Sequence, residues 1–159
     1  MAGAYDGNSG VSPSWPLTTR RRVEFRDTDA AGIVHFSAFF VWMESAEHEL
    51  LRAAGVPVVE RSADGVDASW PRVSASCDYT AAVRFGDEVD IAVAVETVGR
   101  TSVTYGFGFT HAGVAVARGR IVAVRCLMHP GGRPEPVPLP AEVVDRLATY
   151  RNAADAGGA

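Results

Sequence analysis

The chain has 159 residues, 47% hydrophobic and 21% charged, a composition that fits one folded globular domain and excludes wholesale disorder. Its net charge is −4, all fifteen basic residues are arginines, and the only basic cluster lies at positions 20–22, so we expect no nucleic-acid partner. The N-terminus lacks the basic start and apolar core of a signal peptide, and no apolar run reaches the roughly 18 residues of a membrane span, which predicts a cytoplasmic protein without a membrane partner.

The first third of the chain predicts a tail, a strand and one long helix. Residues 1–17 are rich in Gly, Ser and Pro and are predicted to form a flexible tail. Residues 19–27 alternate well enough for a strand that places Val23 and Phe25 on one face. A helical pattern follows over about 36–54 and ends at Gly55. Its apolar stripe comprises Phe36, Phe39, Phe40, Met43, Ala46, Leu50, Leu51 and Ala54. Trp42 lies off that stripe, which predicts a helix buried on more than one side.

After this helix the apolar residues change to a period of two. Alternating segments at 73–79, 89–95 and 103–109 and a long segment at 114–128 predict strands, and the short turns between them favour antiparallel neighbours. A short amphipathic helix with Val143, Val144 and Leu147 follows, and 151–159 is predicted to be a second tail. We therefore predict an α+β fold in a single domain, 18–150, in which a curved antiparallel sheet of about five strands wraps one long central helix.

The turn between the first strand and the long helix contains the residues with the clearest chemistry. Asp27, Asp29, Gly32 and His35 lie within one short stretch directly before the predicted helix start. A helix start presents unpaired backbone N–H groups and the positive end of the helix dipole, which can stabilise an oxyanion. A carboxylate held beside such donors can attack a polarised carbonyl or activate water. We expect Asp29 to do this chemistry, Asp27 to hold the turn, and Gly32 to let the backbone bend beneath a ligand.

The stretch Val23-Glu24-Phe25-Arg26-Asp27-Thr28-Asp29-Ala30-Ala31-Gly32-Ile33-Val34, with the helix that follows, resembles the 4-hydroxybenzoyl-CoA thioesterase family of hotdog-fold proteins. The resemblance covers roughly residues 20–148. It implies a hotdog fold, Asp29 as the catalytic carboxylate and the backbone N–H of Phe36 as the donor to the thioester oxygen. It also implies CoA binding at the turn that contains Arg100 and Ser102. Members are dimers or tetramers with the active site at a subunit interface, which predicts a homodimer or homotetramer here.

We therefore predict an acyl-CoA or aryl-CoA thioesterase that needs no cofactor and no metal, because a thioester is already activated toward addition. His35 is a candidate for orienting water or contacting the acyl group, but a structural role is favoured. Many family members have Tyr or Trp at this position, so the resemblance implies no role for His35. The polar helix residues Glu44, Glu47 and His48 are predicted to face solvent or a subunit partner, although Glu47 or His48 could also approach the site, because a hotdog helix is enclosed by sheet. A hotdog hydratase or dehydratase and a catalytically silent acyl-CoA-binding protein are the alternatives. The acyl group stays open among aromatic, naphthoyl and medium-chain groups.

Overall fold

The structure of the chain is a computed structural model that describes residues 14–152. Most of the two predicted tails, residues 1–13 and 153–159, lies outside the described residues. The helices are α1, Phe36–Ala53, and α2, Ala141–Ala148. The strands are β1, Leu17–Arg22; β2, Val59–Glu60; β3, Asp67–Ser69; β4, Arg72–Tyr79; β5, Glu88–Val98; β6, Ser102–His111; β7, Val114–Val124; β8, Cys126–Met128; and β9, Glu135–Pro136. No helix within residues 14–152 is long and apolar enough to cross a membrane.

The main sheet has five strands in the order β1-β5-β6-β7-β4, and every neighbouring pair is antiparallel. The period-two segments predicted from the sequence coincide with β4, β5, β6 and β7, so the predicted sheet of about five strands is confirmed. On β6 the alternate residues Val103, Tyr105, Phe107 and Phe109 are buried in one core with α1. A small second sheet, β2-β3-β8-β9, was not predicted, because its strands are two or three residues long and too short to show a period.

Helix α1 lies against the main sheet and supplies much of the core. Its buried residues are Ala38, Phe39, Trp42, Met43, Ala46, Glu47, Leu50 and Leu51, so the predicted burial of Trp42 is correct. One prediction within the stripe was wrong, because Phe36, the first residue of the helix, is 61% exposed. Phe40 and Ala54 are half-buried and pack against the core. The helix ends as predicted, with Gly55 at a φ of +68° directly after the terminal turn.

The first strand is shorter than predicted, and Phe25 does not share a face with Val23. Strand β1 ends at Arg22, and Phe25–Asp27 forms a short 3₁₀ turn in which Phe25 is 81% exposed. Val23 is tied to the loop before β5, because its N–H donates to the carbonyl of Asp87 at 2.8 Å and its carbonyl accepts from Gly86 at 2.9 Å. These bonds continue the pairing of β1 with β5 by one residue. The strand then ends because hydrogen bonds between Glu24 and Asp27 form a capping box that starts the 3₁₀ turn.

Strand β4 forms one edge of the main sheet. It pairs with β7 on one side only, and six of its eight residues are exposed. Val73, on this strand, is 64% exposed. An edge strand presents backbone donors and acceptors that another chain can pair with. The C-terminal end of β4 also brings Tyr79 to the beginning of α1.

Candidate active site

The chain from Thr28 to Val34 forms a tight loop between the 3₁₀ turn and α1. Thr28 and Val34 face each other in an isolated antiparallel bridge at its base. Within the loop the N–H of Asp29 donates to the carbonyl of Ile33, and the N–H of Gly32 donates to the carbonyl of Asp29, both at 2.9 Å. Gly32 has a φ of +74°, a left-handed conformation that favours glycine, so the bend predicted at this residue is present.

Asp27 and Asp29 have different surroundings although they are two residues apart. The Oδ2 of Asp27 accepts from the N–H of Glu24 at 2.9 Å, and its carbonyl accepts from the N–H of His35 at 2.7 Å. Asp27 therefore connects the residues that precede the loop with the residue that follows it. The half-buried Asp29 uses Oδ1 to accept from the N–H of Ala31 at 2.8 Å. That bond orients the carboxylate, and among residues 14–152 nothing donates to its Oδ2.

Helix α1 begins directly after the loop, and His35 is its N-cap residue. The Nδ1 of His35 accepts from the N–H of Ser37 at 3.3 Å and is 2.7 Å from the Ser37 hydroxyl. The carbonyl of His35 accepts from the N–H of Ala38 at 2.9 Å. Within the described part of the chain no group accepts from the N–H of Phe36. The first turn therefore retains a backbone donor at the positive end of the helix dipole.

A cavity of about 440 Å³ joins the loop, the start of α1 and the segment that follows β4. Its lining comprises Asp29, Ile33, Val34, Phe36, Phe39, Tyr79, Thr80, Ala81, Ala82 and Val83. Asp29 is the only charged residue in this lining. Two of the residues predicted for catalysis, Asp29 and Phe36, thus open on the same cavity, whereas His35 and Gly32 lie beside it in the chain and do not line it.

Tyr79 and the segment 80–83 belong to the cavity but were not predicted to do so. The Tyr79 hydroxyl donates to the carbonyl of Phe36 at 3.0 Å, and the Tyr79 ring packs edge-on against Phe39. Burial, with a contribution from the Cys77 thiol, raises the pKa of Tyr79 to about 12, so the hydroxyl keeps its proton at neutral pH and remains a donor. Tyr79 therefore ties the end of β4 to the first turn of α1. The only signal in the sequence was an aromatic residue at the end of a predicted strand.

Comparison with known proteins shows the family of this chain. The sequence pattern of the thioesterase superfamily matches residues 31–118, more than half of the chain. The chain belongs to the thioesterase superfamily. The predicted hotdog fold is confirmed, and so is the prediction of a thioester hydrolase.

Relatives of this thioesterase match over most of their length. A 1,4-dihydroxy-2-naphthoyl-CoA hydrolase of Nostoc punctiforme is 30% identical over 143 residues, which cover 90% of this chain and 93% of the relative. A protein of Aquifex aeolicus with a provisional esterase name is 30% identical over 132 residues, covering 83% of this chain and 98% of the relative. Among solved structures, a gentisyl-coenzyme A thioesterase superposes with a TM-score of 0.71 at 27% identity, covering 82% of this chain and 99% of that one.

The thioesterase does not bring Arg100 and Ser102 to the cavity of the same chain. Both lie in and next to the turn between β5 and β6, at the end of the sheet opposite to Asp29. Strand β5 lies between these two ends. Its 11 residues extend about 35 Å at roughly 3.3 Å per residue. Arg100 is exposed, and its carbonyl accepts from the N–H of Leu139 at 2.9 Å. A role for Arg100 at the cavity therefore requires a second subunit.

A second polar cluster lies inside the thioesterase core, away from the cavity. Glu47, predicted to face solvent or a partner, is fully buried and accepts from Arg72 Nη2 at 3.0 Å and from Arg72 Nε at 3.3 Å. Arg72 also donates to His48 Nε2 at 2.9 Å and lies 3.7 Å from Glu44. The Tyr105 hydroxyl is buried without a partner among the described residues. The prediction for Glu47 was wrong because its partner comes from β4, 25 residues later in the chain.

Burial decides the protonation of this cluster. Loss of hydration raises the pKa of Glu47 from 4.5 to about 7, although the positive charge of Arg72 and its hydrogen bonds act in the opposite direction. Burial and the Arg72 charge lower the pKa of His48, which keeps its imidazole neutral and able to accept from Arg72. The cluster joins α1 to the edge strand β4 and has no residue in the cavity lining.

Proposed function

We propose that this chain is an acyl-CoA or aryl-CoA thioesterase of the 4-hydroxybenzoyl-CoA thioesterase type, which hydrolyses its substrate to a free acid and CoA. The observation that supports this most directly is the shared cavity of Asp29 and Phe36. A carboxylate and an unpaired helix N–H on the same cavity are the two groups that acyl transfer requires.

In this proposal the thioester carbonyl lies with its oxygen toward the N–H of Phe36 and its carbon toward Asp29. The Ala31 N–H holds Oδ1, and Oδ2 is left to react. As a general base, Asp29 takes a proton from water, and the hydroxide adds to the carbonyl carbon. As a nucleophile, Oδ2 itself adds to the carbon, and water then hydrolyses the resulting anhydride. In both routes the helix N-terminus stabilises the oxyanion, and collapse of the tetrahedral intermediate breaks the C–S bond and releases CoA thiolate.

The other predicted site residues position the reacting groups or bind CoA. Gly32 permits the bend that presents Asp29, and His35 caps the helix whose first N–H binds the oxyanion. Arg100 and Ser102 bind CoA in the cavity of a neighbouring subunit, which makes the active unit a homodimer or homotetramer. The exposed edge of β4 favours such pairing. We further propose that residues 18–150 form a single catalytic domain of a cytoplasmic enzyme.

Two other functions predict different chemistry from the same fold. A hydratase or dehydratase needs an acid–base pair at its substrate, yet the Nδ1 of His35 is already engaged by Ser37, and His35 does not line the cavity. A silent acyl-CoA-binding protein needs no reactive carboxylate. The orientation of Asp29 by the Ala31 N–H, with a second oxygen left over, favours a catalytic role instead.

The test is to incubate the purified chain with acetyl-, octanoyl-, crotonyl- and benzoyl-CoA and to measure free thiol with a chromogenic reagent. A thioesterase releases stoichiometric thiol from at least one substrate. A hydratase changes the absorbance of the enoyl group of crotonyl-CoA without releasing thiol. A silent binding protein releases no thiol and leaves the enoyl absorbance unchanged, and its binding is detected by calorimetric titration with a CoA ester. Either of these two results would contradict the proposal.

A further inference from the structure

We infer that the acyl group cleaved best by this thioesterase is an unsubstituted hydrocarbon, aromatic or aliphatic, and not a hydroxylated aryl group. This inference rests on the proposed function and narrows the substrate of the same cavity. The acyl group inferred here carries no hydroxyl, unlike the dihydroxylated naphthoyl group in the name of the Nostoc punctiforme relative.

The deep wall of the cavity is made of hydrocarbon. Its three most buried lining residues are Val34, Phe39 and Val83, each at most 6% exposed. The Phe39 ring packs edge-on against Tyr79, at 5.1 Å between centroids, and against Phe109, at 5.2 Å. An acyl group whose carbonyl lies at Asp29 and which extends away from solvent therefore contacts aliphatic and aromatic carbon.

The two hydroxyl side chains of the lining lie at its exposed rim and are bonded to the protein. The Tyr79 hydroxyl donates to the carbonyl of Phe36, and the Thr80 hydroxyl donates to the carbonyl of Ala115 at 3.1 Å. Both residues are exposed, in contrast to the deep wall. The one remaining polar side chain is Asp29, which the proposed chemistry uses at the carbonyl.

A ring hydroxyl carried into this cavity would lose its hydrogen bonds to water and gain none from the deep wall. A site built to bond a hydroxyl rejects the analogue that lacks it by 10⁴-fold or more, whereas an apolar pocket rejects an added hydroxyl by only about 10²-fold. The structure therefore predicts a preference of on the order of 10–100-fold for the substrate without the hydroxyl.

The test compares 3-methylbenzoyl-CoA with 3-hydroxybenzoyl-CoA, using the full chain in its native assembly and steady-state release of thiol. The two groups have nearly the same size, and in the meta position neither is conjugated with the carbonyl, so the intrinsic reactivity of the two thioesters is similar. We expect kcat/KM to be 10–100-fold higher for the methyl compound. Equal values, or a higher value for the hydroxyl compound, would overturn the inference and leave the proposed function intact. The absence of thiol release from every CoA ester would instead refute the proposed function.

A pair of variants locates the acyl group. Ala81→Phe fills the cavity, and Ala141→Phe adds the same ring at the exposed start of α2, outside the lining. We expect Ala81→Phe to lower kcat/KM at least tenfold more for 3-methylbenzoyl-CoA and octanoyl-CoA than for acetyl-CoA, and Ala141→Phe to change none of them, with thermal melts confirming that both variants fold. An equal effect of Ala81→Phe on the three substrates would show that the acyl group binds elsewhere and would overturn the inference.

Discussion

Replacement of Glu47 by Gln should remove a large part of the pH dependence of stability. The pKa of Glu47 is raised from 4.5 to about 7 in the folded chain, and in the unfolded chain it returns to its ordinary value. Below pH 4.5 Glu47 is protonated in both the folded and the unfolded chain, and its contribution to the unfolding free energy is fully present. Between pH 4.5 and 7 the unfolded state ionises first, so stability falls as the pH rises through this window. A shift of this size corresponds to about 3 kcal/mol.

The assay is denaturant unfolding of the wild type and the Glu47→Gln variant at several pH values between 4.5 and 8, at one protein concentration. The difference in unfolding free energy between the two should change by about 3 kcal/mol across this range, or roughly 10 °C in Tm. Arg72, His48, Glu44 and Tyr105 surround the carboxyl and are the same residues in both proteins.

Glu44→Gln is the matched control. Glu44 also lies near Arg72, at 3.7 Å, but its side chain is 53% exposed. Its replacement should leave the pH profile close to that of the wild type. Parallel pH profiles for the wild type and Glu47→Gln would refute the reasoning, because they would mean that Arg72 fully offsets the effect of burial and that Glu47 ionises at the same pH in the folded and unfolded chain.

Three further predictions concern the site and its assembly. Tyr79→Phe removes a hydrogen bond of about 1 kcal/mol to the Phe36 carbonyl and should lower kcat about fivefold with little change in KM. Steady-state kinetics check this, a thermal melt shows that the variant stays folded, and an unaltered kcat would contradict the prediction. Arg100→Ala should raise KM for a CoA thioester far more than it lowers kcat, and it should make CoA binding less sensitive to salt. Arg61→Ala should have neither effect. An unchanged KM for Arg100→Ala would show that another residue binds the phosphates of CoA. Light scattering should give a dimer or tetramer, since the β4 edge is exposed, and a stable monomer at micromolar concentration would count against an interfacial site.

The parts of the fold that the sequence predicted are those whose apolar residues repeat over many positions. Helix α1 has 18 residues, and β5, β6 and β7 have ten or eleven each, so their periods are visible without a structure. The errors arose where specific hydrogen bonds, and not the alternation of apolar residues, decide the local conformation. Phe25 continues an alternating pattern, yet the hydrogen bonds between Glu24 and Asp27 start a 3₁₀ turn and end the strand before it.

The same distinction applies to the site. The sequence indicated Asp29, Gly32 and the helix start, because a local turn motif places them next to each other. Tyr79 became part of the cavity only through the approach of β4 to the first turn of α1, 43 residues away in sequence. Glu47 occupies a helix position with polar neighbours, and nothing in the sequence pairs it with Arg72. The residues that are adjacent in the chain could therefore be predicted together, whereas the cavity wall at Tyr79 and the contact of Glu47 with Arg72 depend on tertiary structure.

The central claim is that the Asp29 carboxylate performs the chemistry, and the direct measurement is kcat of Asp29→Asn on the best thioester substrate. Asparagine keeps the size of the side chain and an oxygen that can accept from the Ala31 N–H, but it removes the anionic oxygen. We predict that kcat falls by on the order of 10²–10⁴ while the melting temperature and CoA-ester binding are retained. Asp27→Asn, the matched control, should chiefly lower stability, because Asp27 holds the loop through Glu24. Turnover near the wild-type rate by Asp29→Asn would contradict the mechanism.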